Sequence, residues 1–157
     1  MTNESPQAEV KANTPDADAA EFVGRFERFW ANPDPERLGE LLHPDAHLKQ
    51  PFRPEMHSCA AYADELSQLL QLCPDLAGHL LWWSATHDGV VIEHTLSGTI
   101  AGKRFSLEVL DRITLRDGKV VERLAYFDPS PLIVTIATRP TAWLRYLRIQ
   151  LSTSRSR

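Results

Sequence analysis

His94, Asp111 and Arg123 are the residues of this sequence whose types and positions could do chemistry together. They fall in the strand-like segments 90–100, 104–115 and 119–127, which are rich in Val, Ile, Leu, Thr and aromatics and separated by turn signals. If these segments pair in order, the turns decide which side chains meet. Ala101-Gly102, as a two-residue turn, sets His94 opposite Val109 and diagonal to Asp111, within side-chain reach. Arg116-Asp117-Gly118, as a three-residue loop with Gly118 left-handed, pairs Leu115 with Lys119, Asp111 with Arg123 and Val109 with Ala125. An arginine opposite an aspartate lowers the aspartate's pKa, so Asp111 is expected to be ionised. An ionised Asp111 can orient His94 and leave its other nitrogen as a general base or acid near neutral pH. Proton abstraction, elimination and water activation all fit such a dyad. The competing reading is structural: Asp111 and Arg123 as a satisfied buried ion pair, and His94 hydrogen-bonded to its surroundings.

The elements that must position these groups follow from periodicity. The face that carries His94, Asp111 and Arg123 also carries Leu96, Leu107, Val109, Ala125 and Phe127, so the polar groups sit on an apolar wall. Segment 79–87 adds a further strand; its Trp82-Trp83 pair must send one ring to each side, one to the core and one to an interface. Ahead of the strands, Phe22, Val23, Phe26, Phe29 and Trp30 form the stripe of an amphipathic helix ended by Asn32-Pro33. Asp34-Pro35 starts a shorter helix with Leu38, Leu41 and Leu42 inward, ending at His43-Pro44. Ala46 to Pro51 is extended, with Leu48 and Gln50 on one face and His47 and Lys49 on the other. Ser58 caps a third helix with Tyr62, Leu66, Leu69, Leu70 and Cys73 on its stripe. Three helices followed by an antiparallel meander make an α+β plan, the helices covering one face of the sheet.

Composition narrows the function classes. At 157 residues and 43% hydrophobic, the chain is long enough for one well-filled core. A net charge of −4 argues against a dedicated nucleic-acid binder. The N-terminal segment shows neither a basic n-region nor an apolar h-region, and Cys59 and Cys73 cannot build a disulfide framework, so a cytoplasmic, thiol-reduced setting is expected. GxSxG, P-loop and dinucleotide motifs are absent, so nucleophilic-serine, nucleotide and nicotinamide chemistry have no support. His43 and His47 have a metal-like spacing, but Pro44-Asp45 breaks the helix that would align them; with His57 they are expected to be solvated loop residues. No metal or other cofactor is expected.

The element order, with Asp117-Gly118-Lys119-Val120-Val121-Glu122 leading into Ala125-Tyr126-Phe127-Asp128-Pro129, resembles the nuclear transport factor 2-like superfamily, and within it the SnoaL-like group. The resemblance covers residues 20–135. It implies a cone-shaped, curved antiparallel sheet covered by three N-terminal helices around a deep apolar pocket, with an extra C-terminal helix here. It also implies dimerisation through the outer sheet face. The group spans isomerases, hydrolases, cyclases and dehydratases as well as non-enzymatic binders. Compared with ketosteroid isomerase relatives, Gln50 before Pro51 stands where the general-base aspartate belongs, and Phe26 where the oxyanion tyrosine belongs; Asp111 matches the second oxyanion group. Compared with polyketide cyclases and epoxide hydrolases, Ala125 stands at an acid position, while His94 and Leu96 replace the arginine and aspartate of the hydrolase. The three familiar chemistries are therefore not expected in their known form.

The expected substrate is a hydrophobic small molecule with oxygen functions. It would lie against Phe26, Trp30, Leu96, Val109, Ala125 and Phe127, within reach of Gln50 and Arg123, with His94 and Asp111 as the acid–base pair. A non-catalytic ligand-binding or dimeric assembly module of the same fold is the alternative. Tyr126 and Asp128 alternate to the opposite face, where dimer contact or a terminal cap is expected. Residues 1–17 read as a flexible tail, 18–138 as the SnoaL-like domain and 139–157 as a basic amphipathic segment. In that last segment Trp143, Leu144, Leu147 and Leu151 can form a helix over 141–151 with arginines around it. An anionic membrane surface is one partner for it; docking on the body or on a partner subunit is preferred, since single short basic helices bind membranes only marginally.

Overall fold

The computed structural model describes residues 15–138. Helix α1 (Pro15–Ala31) is followed by a 3-10 helix (Pro35–Glu40), strand β1 (Leu42–Lys49) and helix α2 (Cys59–Leu72). Strands β2 (Ala77–Ala85), β3 (Gly89–Ile100), β4 (Lys103–Arg116) and β5 (Lys119–Phe127) then precede helix α3 (Ser130–Ala137). The five strands form one sheet in the order β1-β5-β4-β3-β2, the last four an antiparallel meander. This is the expected α+β architecture.

Local sequence explains the helices. Ala19, Phe22, Val23, Phe26, Phe29 and Trp30 are all buried along α1, which packs on β2 and β3. Asp34 caps the 3-10 helix by accepting from Glu36 N–H at 2.9 Å. Ser58 Oγ accepts from Ala61 N–H at 3.1 Å to start α2, whose Tyr62, Leu66 and Leu72 are buried.

The structure corrects the sequence reading at four places outside the site. The second helix stops at Glu40, and Leu42 opens β1 instead of closing a helical turn. Strand β1 adds to the meander in parallel, beside β5, a pairing that no short turn could announce. Helix α1 begins at Pro15, inside the segment expected as a tail. An extra C-terminal helix is present, but as α3 it begins at Ser130, ahead of the expected 141–151 span, and packs against β4. Most of the tail and the basic segment over 141–151, with its membrane or docking contact, lie outside the described residues.

The turns fix the facing of the strands. Ala101 and Gly102 both have positive φ and form the expected two-residue turn, so His94 pairs with Val109. The next hairpin departs from expectation. Asp117 and Gly118, with φ of 52° and 70°, make a two-residue turn in which Arg116 pairs with Lys119. A bulge then follows, with Leu115 opposite Val120 but Thr114 opposite Glu122. The extra residue, Val121, is unpaired and the alternation of β5 reverses there. Val120 and Arg123 can therefore both point inward although they lie an odd number of positions apart. Beyond the bulge Asp111 pairs with Ala125 and Val109 with Phe127, not with Arg123 and Ala125; Arg123 pairs with Ile113. Beyond the bulge the register differs by two residues, so Arg123, Ala125 and Phe127 keep their expected face, while before it the one-residue difference turns Val120 inward.

Candidate active site

Strict alternation along β4 buries Phe105, Leu107, Val109, Asp111 and Ile113, and β3 buries Val90, Ile92 and His94 beside them. One polar row crosses this apolar wall. His94 Nε2 lies 3.1 Å from Asp111 Oδ2, the diagonal contact expected from the Ala101-Gly102 turn. Arg123 Nε lies 2.9 Å from Asp111 Oδ1, and its Nη1 donates to the Tyr62 hydroxyl at 2.9 Å. The Arg123 guanidinium also sits 5.7 Å from the centre of the Tyr62 ring. β3, β4, β5 and α2 thus contribute one group each to a row in which no residue is more than 7% exposed.

Charge accounts for the state of the row. Burial pushes the Asp111 carboxyl up, but the Arg123 charge and the His94 hydrogen bond outweigh it and hold the group below the ordinary carboxylate value. Arg123 is raised, its own burial outweighed by the charge of Asp111. Burial also raises the Tyr62 hydroxyl, with the Arg123 charge opposing, so Tyr62 is a neutral phenol that accepts from Arg123. Asp111 and Arg123 thus form a buried ion pair.

His94 has an asymmetric environment. With Asp111 ionised, the tautomer that fits donates from Nε2 to the carboxylate and leaves a lone pair on Nδ1. Nδ1 is buried and has no hydrogen-bond partner. Phe26 meets the imidazole edge-on at 5.2 Å between ring centres, and Trp30 stacks on it at 6.2 Å. The imidazole is thus oriented by Asp111 and kept from water by two aromatic rings.

The same two rings line a small cavity between α1, the 3-10 helix and the sheet. Its volume is about 20 Å³, enough for one water molecule. Phe22, Phe29, Leu38, Leu48, Tyr62 and Arg123 are among its other walls. Of the residues expected to contact substrate, Phe26, Trp30 and Arg123 line this cavity, while Leu96, Val109, Ala125 and Phe127 share the inner face of the sheet without reaching it. His94 and Asp111 likewise border no open volume there. Gln50 is turned away: it lies just beyond β1 and its Nε2 donates to Glu65 Oε1 on α2 at 2.7 Å.

Tyr62 is the group that sequence reasoning placed only in the core. Its signal was a hydroxyl on an otherwise apolar helical stripe, which must find a partner when buried. Trp82 is exposed while Trp83 packs on the core, and Tyr126 is exposed, as alternation requires. Asp128 accepts from the backbone N–H of Ser130 at 2.9 Å just ahead of α3, whose N-cap position is held by Pro129. His43 and His47 form no pair: His43 Nε2 contacts Arg116 at 3.3 Å, and His47 contacts Glu55 at 2.9 Å.

Comparison with known proteins agrees with the topology. The sequence profile of the SnoaL-like domain matches residues 23–123. No curated protein matches the sequence. Among solved structures, TsrD from Streptomyces laurentii superposes with a TM-score of 0.66 at 20% identity, over 76% of this chain and 95% of that one. A protein of Jannaschia sp. CCS1, provisionally described as a SnoaL-like polyketide cyclase, gives 0.68 at 17% identity, over 87% of this chain and 100% of that one. Bal32a, from a soil-derived mobile gene cassette, gives 0.69 at 19% identity, over 78% of this chain and 98% of that one. With a family profile spanning most of the chain and the helices, meander and buried row described above, this chain belongs to the SnoaL-like group of the nuclear transport factor 2-like superfamily.

Proposed function

We propose that this chain is a small-molecule enzyme that acts on a hydrophobic, oxygen-bearing substrate by acid–base chemistry, with His94 as the proton-transfer group. The observation that carries this reading is the half-satisfied imidazole. A buried nitrogen without a partner costs about 1–3 kcal/mol, and a purely structural histidine would have both nitrogens bonded. Asp111 is then a positioning residue that fixes the tautomer, and Arg123, itself bonded to the Tyr62 hydroxyl, holds Asp111 ionised. Phe26 and Trp30 are the rings that must turn aside for a substrate to meet Nδ1. The provisional polyketide-cyclase description of the Jannaschia neighbour supports the substrate class.

The test is a thermal-shift screen of steroids, polyketides and terpenoid epoxides, followed by turnover of any hit. His94→Ala is expected to retain binding and lower turnover by about 10²–10⁴-fold. Unchanged turnover in that variant would end the proposal. A second reading, a non-catalytic dimeric assembly module of the same fold, is favoured by the cavity of only about 20 Å³, which has no room for a small-molecule ligand. Binding of none of the screened compounds by the wild-type chain would select it.

A further inference from the structure

Outside the buried row, His47, Glu55 and His57 bring one ligand atom each to within 4.8 Å of one another. Their placement follows from a short piece of ladder. Leu48 and Met56 form an antiparallel bridge, exchanging both backbone hydrogen bonds at 2.8 and 3.0 Å. The flanking residues His47 and His57 therefore face each other at a position without ladder bonds, where opposed side chains approach most closely. Their rings stack at 4.5 Å between centres. Glu55 and Lys49 flank the other side of the bridge, so all these side chains share one face of the ribbon. Glu55 reaches across to His47, with Oε2 at 2.9 Å from Nε2, and its Oε1 meets Lys49 Nζ at 3.1 Å.

We propose that His47, Glu55 and His57 are a surface binding site for a divalent transition-metal cation of the zinc class. Two imidazoles and one carboxylate suit zinc, copper or nickel and do not suit magnesium or calcium, which take all-oxygen shells. Bonds of about 2.0–2.2 Å from nitrogen and oxygen require the ligand atoms to draw together from 4.8 Å, which side-chain rotation on partly exposed residues supplies. The fourth position is open to solvent. On binding, the hydrogen bond between His47 and Glu55 gives way to two bonds to the metal, His47 binding as the neutral imidazole with its ring proton on Nδ1. Lys49 keeps Oε1 and opposes the incoming positive charge, so it weakens the site. The metal would tie β1 more firmly to the segment that follows it, which the Leu48–Met56 bridge already joins to it.

Calorimetric titration of the full chain with Zn²⁺ tests this. One cation per chain is expected, and His57→Ala, an exposed replacement, should weaken binding by at least about tenfold. Glu55→Gln should also weaken it, and Lys49→Met should tighten it. Zinc should raise the thermal midpoint of the wild-type chain and not that of His57→Ala. A wild-type chain that takes no zinc, or wild-type zinc affinity retained in His57→Ala or in Glu55→Gln, would overturn the site. None of these readouts depends on the buried row, so catalytic and metal proposals stand or fall separately.

Discussion

Asp111 sits between an imidazole and a guanidinium with no access to water, so taking away its charge strands the cation beside it. Asp111→Asn is expected to destabilise the fold by about 3–5 kcal/mol, as breaking a buried pair does; urea unfolding measures it. Acid reports on the same carboxylate. Its pKa in the folded chain lies below the ordinary value of 3.8, so the native state favours the ionised form. That contribution is fully present above the ordinary value and is lost as pH falls through the lower, folded one. The wild-type chain should therefore lose stability below about pH 4 by a component that Asp111→Asn lacks, in parallel acid titrations. At this scale the sequence was informative. The facing of His94, Asp111 and Arg123 followed from strand parity, and a register error of two residues leaves parity unchanged. Two features were not legible: the orphaned Nδ1, which depends on the exact set of neighbours, and the His47–Glu55–His57 cluster, which needs an isolated bridge that no periodicity marks.

Elements meet closely where β3 runs past the end of α2. A methyl group on Gly98 would run into Cys73 Sγ, whose thiol burial pushes up to about 11. Gly98→Ala is expected to cost about 1–3 kcal/mol by overpacking. Adding Cys73→Ala should return part of that loss, and a double-mutant cycle by chemical denaturation would show the coupling. The cap of α2 is a separate lever: Ser58→Ala should lower stability by about 1 kcal/mol, read from the same curves. The helix stripes, Ser58 and the Ala101-Gly102 turn were visible as local signals. The bulge at Val121 was not, because Asp-Gly fits both a two-residue and a three-residue hairpin and only the ladder decides. The parallel docking of β1 was equally invisible, since it joins strands far apart in the chain.

Across the whole molecule the outer face of the sheet carries a row at matched register: Trp82 pairs with Glu93, Glu93 with Leu110, and Leu110 with Tyr126. Trp82 and Tyr126 are each 53% exposed and Leu110 is 40% exposed, a strip of apolar surface with one charge inside it. We expect this strip to be the homodimer face, and Trp82→Glu with Tyr126→Glu to give monomers in sedimentation velocity where the wild-type chain gives dimers. The inner side of the same sheet has the opposite character. A space of 20 Å³ walled by Phe26 and Trp30 gives a visitor no standing room, so entry must wait for those rings to swing. Uptake would then be timed by the protein's own breathing: as ligand is added, the observed association rate should climb and flatten at the speed of the swing.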